Sequence, residues 1–140
     1  MRTRQIPRAE WFLFFQRFNR RHEGWLATLY VTGPRIGAQI EARELPLEGI
    51  VADPVGEGPI AIHLGQDPNK HLEHPVSDPV QVWVELDDND AEAAVEIESS
   101  DGTKTILEFR KTFPVEMVDG LSGEVPGKEP SGGNKNREKG

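Results

Sequence analysis

His63, His71 and His74 fall within a dozen residues of one another, and Asp67 and Glu73 are interspersed among them. Imidazole and carboxylate are the donors a zinc or other divalent site uses. The spacing argues against a site, because on a strand His71 and His74 point to opposite faces. Neither an HExxH pair nor a zinc-finger spacing is present. These residues read as solvated or structural histidines, and the sequence assigns no metal ligand. Asp87-Asp88-Asn89-Asp90 gathers oxygen donors in one loop. An EF-hand would need a central glycine that this loop lacks. It reads instead as an acidic turn that guards a sheet from edge pairing.

Catalysis has no constellation. G-x-S-x-G, P-loop and G-x-G-x-x-G patterns are all missing. Carboxylate pairs such as Glu41 with Glu44, or Asp53 with Glu57, could do acid–base work. With 24 acidic residues, chance pairs are expected. No catalytic residue and no cofactor is assigned, and the sequence leans away from an enzyme. Cysteine is absent, which removes thiol nucleophiles, thiolate metal sites and disulfides.

Binding chemistry is better represented. Arg2, Arg4, Arg8, Arg17, Arg20 and Arg21 give the first quarter a basic cast, with Trp11 and Trp25 beside them. Such a segment could meet nucleic acid or anionic lipid. Yet the net charge is −8, which repels polyanions, so nucleic acid is disfavoured. The Arg residues read as partners for the acidic remainder of the chain. Trp83 alternates with Gln81 and Glu85, on the polar side of its strand. Leu26, Tyr30 and Ile106 share that outer layer in this reading. Large apolar residues on an outer face mark an interface or a spot covered by another element.

The elements that position these residues follow from periodicity. Trp11, Phe14, Phe15, Phe18 and His22 form a helical stripe, and Pro7 suits a first turn. A helix over 8–23 is predicted, ended by Gly24 as a left-handed cap. The period then becomes two. Strands are expected at 25–31, at 38–43 with Ala38, Ile40 and Ala42 inward, at 47–52, 60–64, 71–76 and 80–86, and in a final hairpin. Pro46 marks a bend, bulge or edge. In the hairpin, a three-residue loop Ser100-Asp101-Gly102 puts Ala93, Val95 and Ile97 on the same side as Phe109, Leu107 and Thr105. A two-residue turn would set Val95 against Glu108, so the pattern selects the longer loop.

The fold class is α+β: an amphipathic helix followed by a strongly bent antiparallel sheet of five to seven strands, able to curl into a small Sm-like or SH3-like barrel. One domain is expected over 1–120. A polar, disordered tail is expected over 121–140, where Gly, Pro, Ser, Asn, Lys and Glu dominate. No apolar run approaches the roughly 18 residues of a membrane span. The N-terminus lacks a secretory h-region, and a cytoplasmic location is expected.

Several stretches also resemble a family of short, uncharacterised bacterial proteins known only as a domain of unknown function. They are Arg2-Thr3-Arg4, Ile6-Pro7-Arg8, Glu10-Trp11, Phe14-Phe15, Phe18, Arg20-Arg21-His22, Gly24-Trp25-Leu26, Glu41-Ala42-Arg43, Leu45 to Ile50, Asp78-Pro79 and Glu116 to Gly120. The resemblance covers about residues 2–120. It implies membership and brings no activity, cofactor or catalytic residue. The expectation is a non-enzymatic binding or protein-interaction module. Its expected interface is Trp11, Phe12, Arg17, Arg20, Arg21, Tyr30 and Trp83, facing a protein partner or a second copy. The alternatives are a ligand- or metal-binding barrel with a modest catalytic role, and RNA binding through the basic helix.

Overall fold

The first turn of the chain is set by Pro7, whose carbonyl accepts from Glu10 N at 2.8 Å and closes a short 3-10 turn over Arg8–Glu10. The α-helix α1 comes next, at Trp11–His22. Its buried residues Trp11, Phe15, Phe18 and His22 recur every three or four positions, as the stripe requires. Phe14 packs against the same core less completely. The predicted helix over 8–23 thus divides into a 3-10 entry and a shorter α-helix.

The computed structural model describes residues 2–110. The expected boundary at 120, the tail at 121–140 and the Glu116–Gly120 stretch lie outside the described residues. Among those described, eight strands form one antiparallel sheet: β1 Arg2–Ile6, β2 Leu26–Gly33, β3 Gly37–Val51, β4 Ile60–Leu64, β5 Leu72–Val76, β6 Pro79–Leu86, β7 Glu92–Ser99 and β8 Lys104–Phe109. Their spatial order is β1-β6-β7-β8-β2-β3-β4-β5. The count exceeds the five to seven expected. The sheet is also not a closed barrel, since its end strands β1 and β5 each pair with one neighbour only.

β1 supplies the additional strand. It runs antiparallel to β6 from Arg2 opposite Leu86 to Ile6 opposite Val82. Only Ile6 of the five is buried. An edge strand with four polar residues carries almost no alternation signal, so the sequence concealed it.

β3 unites the expected strands at 38–43 and 47–52. Bulges interrupt its pairing with β2 on either side of Leu29, and another lies between Leu47 and Gly49 in its pairing with β4. Glu44 adopts a left-handed φ of 51° within it. These irregularities are the bend expected around Pro46. They also correct the inward set Ala38, Ile40 and Ala42. Ala42 is buried, whereas Ile40 is 53 % exposed, and Ala38 is exposed as well. A bulge adds one residue to one strand, which exchanges the faces of the residues beyond it.

The bend staggers the partners of β3. Its first half pairs with β2 and its second half with β4. Past the bend, the edge that β2 vacates is finished by other groups. Gly24 N donates to Leu47 O and Leu47 N to Trp25 O, both at 2.8 Å. The Asn19 amide then takes a strand's place, donating to Ile50 O and accepting from Ile50 N, each at 2.9 Å. The helix is thereby fixed against β3 by the Asn19 side chain's bonds to the strand backbone as well as by packing.

The inner face of the curved sheet and the aromatic stripe of α1 share one core. Val82, Val84, Val95, Ile97, Leu107, Leu29, Leu47, Ile50, Ile62 and Leu64 are all within 1 % of full burial, beside Trp11, Phe15 and Phe18. The β7–β8 hairpin has the register selected from the sequence. Ile97 faces Thr105, Val95 faces Leu107, and Glu98 faces Lys104. Ser99 N donates to Thr103 O at 2.8 Å, closing the three-residue loop.

Candidate functional site

The outer face of the sheet carries the first candidate. Cross-strand pairing aligns Gln5 with Trp83, Trp83 with Glu96, Glu96 with Ile106, Ile106 with Tyr30, and Tyr30 with Ile40. Directly opposed residues on neighbouring strands share a face. One row therefore crosses the solvent side from β1 to β3, with four large apolar groups and one carboxylate in it. Trp83, Ile106 and Tyr30 are half-buried by their neighbours, and Ile40 is exposed. Glu85 and Glu108 flank the row on one side, with Ala94 between them. Glu98 flanks it on the other, opposite Lys104. Burial pushes the Tyr30 phenol above its ordinary value, and the charges of Glu108, Glu85 and Glu96 push the same way. The stripe is mainly apolar along its axis, with Glu96 within it, and mainly acidic at its margins.

The other residues of the expected interface occupy different places. Trp11 is 1 % exposed, and its indole Nε1 donates to Ile6 O at 2.9 Å. It belongs to the core and offers no docking surface. Phe12 is half-buried. The Arg21 guanidinium forks onto the Glu92 carboxylate at 2.8 and 2.9 Å. Arg17 and Arg20 are exposed on the outer side of α1, in line with Leu13, which is 53 % exposed. Among the described residues, neither pairs with a carboxylate.

Much of the remaining basic charge is used within the molecule. Arg8 donates to Gly56 O at 2.6 Å and to Pro79 O at 3.1 Å, and it stacks 4.5 Å over the Trp11 ring. Arg2 pairs with Asp90, and Arg4 lies over Phe14. Asp90 belongs to the acidic loop, which is a closed turn: Asp87 Oδ1 accepts from Asn89 N at 2.8 Å and Ala91 N at 3.0 Å. Asp53 has the same role in its own loop, accepting from Val55 N and Glu57 N.

The histidines separate into two groups. His63 lies on β4 opposite Glu73, and His74 opposite Ile62, so these two face opposite sides of the sheet. His71 precedes β5 and joins His63, with ring centroids 6.0 Å apart. The third member is Glu48, from the β3 bulge, whose Oε1 is 2.9 Å from His71 Nε2. The sequence offered Asp67 and Glu73 as nearby carboxylates and missed Glu48. No local signal could have found it, because it arrives through strand pairing. Asp67 instead caps the short turn over Pro68–Lys70, accepting from Asn69 N at 2.9 Å.

Two shallow grooves meet at Asp78 and Ser100. One, about 370 Å³, is bordered by Arg8 and Pro79; the other, about 250 Å³, by His74 and Thr105. Among the described residues, neither brings a hydroxyl within hydrogen-bond distance of an imidazole, so no activated nucleophile is formed there. No helix of the described residues is long and apolar enough to cross a membrane.

Comparison with known proteins agrees with the resemblance in the sequence. The model of a family described as "Family of unknown function (DUF5335)" matches residues 2–117. An uncharacterized protein of Aquifex aeolicus (strain VF5) is 26 % identical over 115 residues, covering 82 % of this chain and 98 % of that one. No solved structure matches.

Proposed function

This chain belongs to the DUF5335 family, whose function is unknown, and we propose that it is a non-enzymatic protein-interaction module that associates with a second copy of itself. The carrying observation is the row Trp83–Glu96–Ile106–Tyr30–Ile40 across the outer face. Aromatic anchors within a polar margin are the composition of binding hot spots. The margin is acidic, so the surface that fits it is basic around an apolar centre. The exposed line Leu13, Arg17 and Arg20 on α1 offers one apolar side chain followed by two cations. The helix of one copy docks on the sheet face of the next. Such a contact is heterologous, so it closes into a ring or continues as a chain.

The internal pairing of Arg2, Arg8 and Arg21 supports this reading over RNA binding, because it withdraws cations from a phosphate-binding field. The cytoplasm is the setting the reading assumes.

Size-exclusion chromatography with light scattering tests it. The wild-type chain is expected to be larger than a monomer, and less so in high salt, which screens charge pairs. Trp83→Ser, and the pair Arg17→Glu with Arg20→Glu, should each shift it toward monomer. Adding Glu96→Arg and Glu98→Arg to the helix pair should restore assembly. A wild type that stays monomeric across the accessible concentration range overturns the proposal.

A further inference from the structure

We infer that Glu48, His63 and His71 form a binding site for a first-row divalent cation of zinc type. The inference is independent of the assembly proposed above. One donor atom from each residue lies within 4.8 Å of the other two. Donors around a zinc ion at about 2.1 Å sit about 3.4 Å apart in a tetrahedron. Small side-chain rotations close that difference, and the side chains of His71 and Glu48 are about half exposed and can make them.

The backbone beneath the three residues is held. Glu48 sits in the bulge between Leu47 and Gly49, where an extra residue redirects its side chain. His63 is on β4, whose residues are bonded on both sides, to β3 and β5. His71 comes after a loop clamped in two places. Gly65 N donates to Pro46 O at 2.7 Å, and Lys70 N to Asp67 O at 2.8 Å. Gly65 has a left-handed φ of 84°, and a Cβ there would lie 1.9 Å from Lys70 O. Only glycine lets the loop fold that closely and return His71 to the strand beside His63.

The donor set chooses the cation. Two imidazoles and one carboxylate suit zinc, cobalt, nickel or copper, whereas magnesium and calcium prefer all-oxygen ligands. Three protein donors on an open surface leave a further position for water. Without metal, a His71 Nε2–H donates to Glu48 Oε1 at 2.9 Å. On binding, the His71 ring carries its one N–H on Nδ1, Nε2 turns its lone pair to the cation, and His63 is drawn in.

Calorimetric titration of the tag-free, chelator-treated full chain with zinc chloride tests the site, with cobalt(II) absorption as a second readout. One ion per chain with micromolar affinity is expected, and magnesium should give no response. Glu48→Gln, His63→Ala and His71→Ala should each weaken zinc by at least about tenfold. His74→Ala, on the opposite face, should leave it unchanged. Zinc should raise the melting temperature of the wild type and not that of His71→Ala. Three results would each overturn the inference: no saturable zinc binding, affinity retained in the three variants, or equal weakening by His74→Ala.

Discussion

His22 and the His63–His71 pair place one side chain in two opposite environments. His22 is 3 % exposed and packs against two rings, Phe18 at 4.2 Å and Phe109 at 4.9 Å, which also meet each other at 5.7 Å, with Trp25 edge-on at 4.5 Å. Its Nδ1 donates to Phe18 O at 2.9 Å, which leaves Nε2 facing Glu92 Oε1 at 3.5 Å. That carboxylate is already held by Arg21. Here the imidazole works as a flat aromatic with one polar bond satisfied. The surface pair has no stack of phenyl rings, and its neighbour Glu48 is a donor in its own right. Histidine acts as packing material where rings enclose it, and as a ligand where a bulge brings a carboxylate.

Breaking the enclosure should have the largest effect. Phe18→Ala removes a fully buried ring that packs against both His22 and Phe109. It should cost about 3–5 kcal/mol in chemical denaturation. Gly65→Ala attacks the other region through its backbone. A loss of about 1–3 kcal/mol is expected from the strained φ and the contact with Lys70 O. Zinc response should fall with it if that loop places His71.

Asn19→Ala lies between the two regions, on the helix but bonded to β3. It leaves Ile50 N–H and C=O without their partner. Urea unfolding should show about 1–3 kcal/mol of destabilisation. Faster amide exchange at Ile50 would localise that loss.

The pH dependence of His22 is smaller. Burial lowers its pKa below the ordinary 6.5, against the opposing pull of the Phe18 carbonyl and Glu92. The unfolded chain therefore takes the proton first as pH falls. The stability due to the neutral ring is complete above about 6.5 and declines as pH drops from there through the folded value. His22→Phe, which cannot titrate, should flatten that acid limb in melts taken from pH 7.5 to 5. An unchanged limb would assign it to other groups. The smallest effect belongs to His71→Ala without metal. Its loss should stay within about 0.5 kcal/mol, because only an exposed pair with Glu48 is removed.

The elements most legible in the sequence were those written in local pattern. The aromatic spacing from Trp11 to His22 predicted α1. The alternation of β4 and β6 predicted those strands, and facing apolar residues selected the hairpin loop at Ser100–Gly102. β1 was illegible, because four of its five residues face water and only Ile6 reports burial. Ile40 was assigned to the wrong face, since alternation carries no mark of a bulge. Trp83 and Tyr30 were recognisable as outward residues. That they form one row with Ile106 and Ile40 required the register of four further pairings.

The order of residues along the chain determined where side chains alternate, where they recur every three or four, and where glycine and proline break both rhythms. These are short-range matters of backbone sterics, legible from neighbours alone. Tertiary structure decided which strands lie side by side, that the sheet stays open between β1 and β5, and that Glu48 meets His71 across 23 positions of sequence. Strand pairing joins distant segments through backbone bonds common to every residue type, so the sequence carries no local record of the meeting.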